Sequence, residues 1–232
     1  PNTREVFEEQ IMKKDRYEWK WVVIHSQVPK RAGKIIYVRD IYKRWYSQGI
    51  SSRVNTIDKV LNLLKRITEG CRVITVGSSA GGYMAVLAAI KLKAEYCLNF
   101  SGQYYISREL NNPYYNIAEI MSEYKGQIFY FLPSRCDADR QSYRLVAGME
   151  CVKEFLFKDV KHASTMLTGN MSYIIGQSGE ELLDLYERNK GKEINKIVFL
   201  VQTVPFGAVL NILGKEIKGF IIRRMGKHWN GV

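Results

Sequence analysis

Apolar and polar residues follow two periods along this chain, and the switches between them mark out its elements. Residues 73–76 and 127–132 are short, continuous apolar or β-branched runs. The second reads as a strand covered on both faces. Residues 152–157 and 34–38 are strand-like as well. Residues 55–69 behave differently. Ile57, Val60, Leu61, Leu64 and Ile67 recur at helical spacing, with Asn55 or Thr56 to cap the start and Gly70 to end the helix. Residues 80–93 are rich in Ala, Leu and Met and predict a second helix. Short strands alternating with helices predict a mostly parallel sheet flanked by helices, an α/β three-layer sandwich. The length of 232 residues and an apolar fraction of 46% suit one domain with a sizeable core. That domain is expected to span residues 1–191. Residues 192–232 read as an apolar, then basic, extension.

One strand-to-helix junction carries candidate chemistry. Gly77-Ser78-Ser79-Ala80-Gly81 is a G-x-S-x-G match. Alone the match is weak; its place between a strand and a helix gives it meaning. Such a turn presents a serine hydroxyl at the top of a sheet. The serine is then held at a strained backbone angle, and Gly77 and Gly81 are expected to leave room for neighbouring chain. The helix that follows aims its positive end at the site, so the Ala80 amide is the candidate oxyanion donor.

A serine of this kind needs an acid and then a base later in the chain. There are only three histidines. His25 precedes the serine, and His228 lies in the basic tail. His162 follows the strand-like run 152–157 on a loop, which makes it the candidate base. The acid is expected after residues 127–132, where Asp137 and Asp139 both stand. Asp139 has a competing structural reading, as the N-cap of a helix beginning near Arg140.

The order of strand, Gly-Ser-Ser-Ala-Gly-Gly elbow, strand, Asp-Ala-Asp loop, strand and late histidine resembles the α/β-hydrolase superfamily across residues 20–190. More narrowly, the chain resembles small stand-alone members found among bacterial surface-polysaccharide and accessory-secretion genes. Those carry an elbow like residues 77–83, an Asn-Phe-Ser-Gly strand end (here residues 99–102) and an Asp-x-x-x-x-Trp-Tyr-x-x-Gly segment (here residues 40–49). The resemblance implies a serine hydrolase without a cofactor: an esterase or deacylase acting on an acylated glycan or another small ester. Ser79, His162 and Asp137 would form its triad. Many members place the acid at the distance Asp137 has from its strand, which puts it ahead of the alternative, Asp139. The same resemblance admits an acyltransferase using that triad, or a non-catalytic component of a polysaccharide-building or secretion complex. The chain lacks the His-Gly-Gly loop of many esterases, which leaves the second oxyanion donor unassigned. In such folds that donor comes from the loop after an early strand, here residues 39–49. Trp45 and Tyr46 on this loop are candidate substrate-binding residues. So is Tyr104, in a tyrosine-rich crossover (residues 101–125) that can form a lid.

Composition adds limits. Cys71, Cys97, Cys136 and Cys151 form no C-x-x-C pair, and no His/Cys cluster has metal spacing. Unpaired cysteines favour a reducing compartment. Residues 1–20 are charged and helix-like, unlike a secretory signal. A cytoplasmic location is expected. The net charge of +12 attracts anionic partners, but its cations are scattered and no nucleic-acid motif accompanies them, so specific nucleic-acid binding is not expected. Residues 197–214 hold no charged residue. A helix of that length would reach about 27 Å, near the hydrocarbon thickness of a bilayer. Pro205 interrupts it. The tail is therefore expected to pack on the fold or on a second copy of the chain, or to lie on a membrane surface anchored by Lys215, Lys218, Arg223 and Arg224.

Overall fold

The structure is a computed structural model that describes residues 18–162, 165 and 168–229. Helix α1 (Glu18–Ile24) and a single helical turn, α2 (Val28–Arg31), come first. Helix α3 (Ile57–Ile67), strand β1 (Ile74–Ser78), helix α4 (Ala80–Leu92) and strand β2 (Tyr96–Phe100) follow. The crossover to β3 (Gln127–Pro133) holds two short 3-10 segments, Arg108–Leu110 and Ile117–Glu123. Next come α5 (Asp137–Arg144), β4 (Val152–Phe157), α6 (Thr168–Ile174) and α7 (Gly179–Asn189). The chain closes with β5 (Glu193–Ile194), α8 (Lys196–Thr203) and α9 (Phe206–Trp229).

The strands form one five-stranded sheet, parallel throughout, in the order β1-β2-β3-β4-β5. Consecutive strands are neighbours, and the first three crossovers, β1 to β4, fall on one face, as right-handed connections in this order require. There, Val60, Leu61, Leu87 and Met121 close on Cys97, Ile128, Tyr130 and Leu132. The opposite face is covered from the two ends of the chain. Val22, Ile174, Leu182 and Phe199 pack on Leu98, Phe100, Phe129, Phe131 and Phe155. Strand β3 alternates between the two cores, which is why it reads as continuously apolar. Phe131 stacks between Phe100 and Phe155, with ring centroids 4.8 and 4.6 Å away. The sheet with helices on both faces is the α/β three-layer architecture expected from the pattern.

Local signals explain several boundaries. The Thr56 hydroxyl accepts from the Lys59 amide at 3.2 Å and caps α3. Pro205 has no amide to offer a helix, and α8 and α9 are separate helices on either side of it. One expectation is corrected. Residues 34–38 are extended but pair with no strand. Their apolar, β-branched run suits a sheet, yet a cleft of about 1570 Å³ is lined by them and by the outer edge of β1. Without a neighbouring edge there is no ladder to join. The segment after residue 191 begins by packing on the fold. Strand β5 adds to the sheet, and Phe199 and Leu200 of α8 are fully buried. No helix among the described residues is long and apolar enough to cross a membrane. The reading of residues 1–20 falls mostly outside the described residues.

Candidate active site

All three groups of the site stand past the C-terminal ends of parallel strands, where loops of neighbouring strands converge. Ser79 links β1 to α4 with φ 52° and ψ −123°. For a non-glycine residue that conformation costs about 1–3 kcal/mol and persists only when its surroundings fix it. They do. The Ser79 amide donates to the Phe100 carbonyl of β2 at 2.9 Å, and its carbonyl accepts from the Tyr83 amide at 3.0 Å. Close approach makes two glycines obligatory. A Cβ at Gly77 would strike the Gly81 carbonyl, and one at Gly82 would strike Asn99 Oδ1 and the Gly102 backbone. Gly81, the expected second spacer, faces open space instead. The spacing role falls to Gly82, because the helix turns this residue toward the end of β2.

Asp139 stands near the start of α5, which begins at Asp137. His162 stands beyond β4. Backbone bonds join the two loops: the Ser134 amide donates to the Phe157 carbonyl at 2.7 Å, and the Arg135 amide to the Asp159 carbonyl at 3.0 Å. Glu193 on β5 clamps the first of these loops. It accepts from Ser134 Oγ at 2.7 Å and from Arg135 at 3.2 Å. Those two donors hold its carboxyl below the usual carboxylate range.

The loops bring three side chains into one chain of hydrogen bonds. His162 Nε2 is 2.8 Å from Ser79 Oγ. His162 Nδ1 is 3.0 Å from both oxygens of Asp139. The Asp139 side chain is 2% exposed and that of His162 is 36% exposed. An imidazole that donates from Nδ1 to a carboxylate leaves Nε2 free to accept the serine proton. The buried charge also marks its neighbours. Burial, and then the Asp139 charge, push the Tyr130 phenol well up. Burial pushes the Cys136 thiol up, and the adjacent Asp139 carboxylate adds to it.

Asp137, the leading acid candidate from sequence, is corrected by this geometry. It is exposed at the first position of α5, and Asp139 is the carboxylate that meets the imidazole. The helix begins three residues earlier than expected. Asp139 is thus not its N-cap, and it points inward while Asp137 points out. Ala80 opens α4, where the first amides of a helix lack intrahelical partners. It lines the cleft together with Ser79, Trp45 and Tyr46. Trp45 is half-buried and donates from Nε1 to Gln103 Oε1 at 3.2 Å. Tyr46 is buried and packs in the core beside α3 and α4. Tyr104, expected to bind substrate, is fully buried. Its ring lies edge-on to Tyr130, and its hydroxyl accepts from Asn99 Nδ2 at 3.1 Å. None of the residues 101–125 of the crossover that holds it lines the cleft, although Gln103 bonds the cleft-lining Trp45. The hydroxyls of Tyr114 and Tyr124 bond instead to Asp58 and to the Ala94 carbonyl.

Two positioning residues escaped the sequence reading. Asn99 is fully buried; its Oδ1 accepts from the Gly102 amide at 2.8 Å and fixes the chain beside the elbow. Asp40 organises the loop across the cleft. Its carboxylate accepts from the amides of Tyr42 (3.2 Å), Arg44 (2.7 Å) and Tyr46 (3.1 Å). Lys43, Trp45 and Tyr46 all have positive φ, at 53°, 49° and 58°. Each costs about 1–2 kcal/mol, and a hydrogen bond to a charged acceptor returns about 1.5–3 kcal/mol. The two effects are of one size, so the Asp40 carboxylate decides whether this loop holds its shape. Asp40 opens the Asp-x-x-x-x-Trp-Tyr-x-x-Gly segment, which was its available signal. Known proteins add no further identification. No family description, curated protein or solved structure shows significant similarity to this chain.

Proposed function

We propose that this protein is a serine-dependent carboxylic-ester hydrolase of the α/β-hydrolase type. The hydrogen-bonded series Asp139–His162–Ser79 carries the proposal. Ser79 Oγ attacks the acyl carbonyl while His162 Nε2 takes its proton. The Ala80 amide at the start of α4 donates to the oxyanion. The imidazolium then gives its proton to the leaving alcohol, and an acyl ester remains on Ser79. Water, deprotonated by His162, attacks that ester and releases the acid. If a sugar hydroxyl takes the place of water, the outcome is acyl transfer. Asp139 fixes the imidazole tautomer and stabilises its charged form. The resemblance to surface-polysaccharide proteins supports an acylated glycan as the ester. The cleft beside Ser79, about 1570 Å³, exceeds the about 300–1,000 Å³ of small-molecule sites and leaves room for an acylated sugar.

A fluorophosphonate probe tests the reading. It is expected to modify one serine, Ser79, when the labelled protein is mapped by peptide mass spectrometry. Folded protein that takes up no probe would instead be a non-catalytic binding component.

The loop held by Asp40 supplies the second oxyanion donor in this reading, in place of the missing His-Gly-Gly loop. Asp40→Ala is expected to lower kcat on a small acetyl ester about 10²-fold, the usual size of one lost donor. Asp40→Asn, which keeps an acceptor oxygen, should fall between that variant and wild type. An unchanged kcat in a folded Asp40→Ala protein would remove this loop from the chemistry.

A further inference from the structure

The C-terminal helices leave apolar surface that the fold does not use. Six of the large apolar residues exposed among the described residues lie in α8 and α9: Ile197, Val198, Val201, Phe206, Leu210 and Ile217. Helix α8 packs inward through Phe199 and Leu200. Helix α9 packs through Val209 and Ile212. Phe206 is 76% exposed, and Leu210 and Ile217 are each 60% exposed. At 3.6 residues per turn these three share one stripe of α9, within roughly 40° of one another. Apolar groups gathered in this way on both helices mark an interaction face, whereas single exposed ones do not.

Charge selects what covers the face. No charged residue occurs in 197–214, and then come Lys215, Lys218, Arg223, Arg224 and Lys227 against Glu216 alone. Lys215 and Lys218 are exposed. A second copy would set these cations against themselves in a chain of net charge +12. An anionic surface attracts them. Neither helix is long and apolar enough to cross a bilayer, so the face can lie on one but not span it.

We propose that α8 and α9 dock on an anionic lipid bilayer, with Ile197, Val201, Phe206 and Leu210 entering the headgroup boundary and Lys218, at the flank of the α9 stripe, reaching lipid phosphates. The docking face is joined to the candidate site. Lys196 at the start of α8 bonds Asp159 at 2.9 Å, on the loop that carries His162. A docked protein therefore holds that loop close to the bilayer. The proposal stands on surface and charge and is independent of Ser79 chemistry.

Sedimentation of the full chain with vesicles tests it. The protein is expected to pellet with phosphatidylglycerol-containing vesicles at low salt and to stay in solution with pure phosphatidylcholine. A variant carrying Phe206→Asp and Leu210→Asp should bind about tenfold more weakly or less. These positions are largely exposed, so its melting temperature should match wild type. A second variant, Ile197→Ser with Val201→Ser, checks α8 in the same way. Three results would overturn the proposal. The first is no binding to anionic vesicles. The second is full binding by both folded variants, which would reduce the effect to unspecific charge. The third is a concentration-dependent dimer in ultracentrifugation that the same substitutions abolish, which would give the face to a second copy.

Discussion

Ser79→Ala and His162→Ala are each expected to lower ester turnover by roughly 10⁵- to 10⁶-fold, and the double variant should lose no more than either alone. The reason is the shared proton. Ser79 Oγ is a weak nucleophile until His162 Nε2, 2.8 Å away, takes its hydrogen. Removing either partner removes the attack, and what remains is the catalysis that binding and oxyanion donors provide. The Ser79 side chain is only half-buried, so folding should be little changed. Stopped assays of a p-nitrophenyl ester, alongside melting temperatures, read both quantities. Losses that multiply in the double variant would show that the two residues act separately, and the proposed mechanism would fail.

Local chemistry explains which parts of this site were legible beforehand. The elbow was legible because its requirements are short-range: a strand, a tight turn and a helix within twenty residues. His162 was legible because the chain has so few histidines and only one follows a strand that follows the elbow. Asp139 was harder. Two carboxylates two residues apart differ only in where the helix begins, and α5 starts earlier than its composition suggested. That phase turns Asp139 inward. Tyr104 shows a second limit. An aromatic residue in a crossover can line a pocket or fill a core, and only packing against Tyr130 and Asn99 decides. Residues 34–38 show a third. A short apolar, β-branched run reveals that a segment could be a strand, while pairing depends on an edge elsewhere in the chain. Strand β5 is two residues long and has no period to read. Its contribution lies in Glu193, which holds the loop between β3 and α5.

The two aspartates give the sharpest remaining test. Asp139→Asn preserves the shape of a side chain that is 2% exposed, yet it replaces an acceptor that meets His162 Nδ1 with a group that can also donate. A donor at that place favours the tautomer with its hydrogen on Nε2, which cannot take the serine proton. Turnover is expected to fall about 10⁴-fold while the protein stays folded. Asp137 occupies the exposed first position of α5. Its negative charge near a helix N-terminus contributes about 0.3–1 kcal/mol. Asp137→Asn should therefore lower the melting temperature slightly and leave kcat within a few-fold of wild type. Both variants need only steady-state kinetics and a thermal scan. A large loss in Asp137→Asn with a mild effect in Asp139→Asn would transfer the orienting role to Asp137 and require the α5 loop to rearrange in the working enzyme. Wild-type turnover in both would leave His162 without an essential acid and would defeat the triad as the basis of activity.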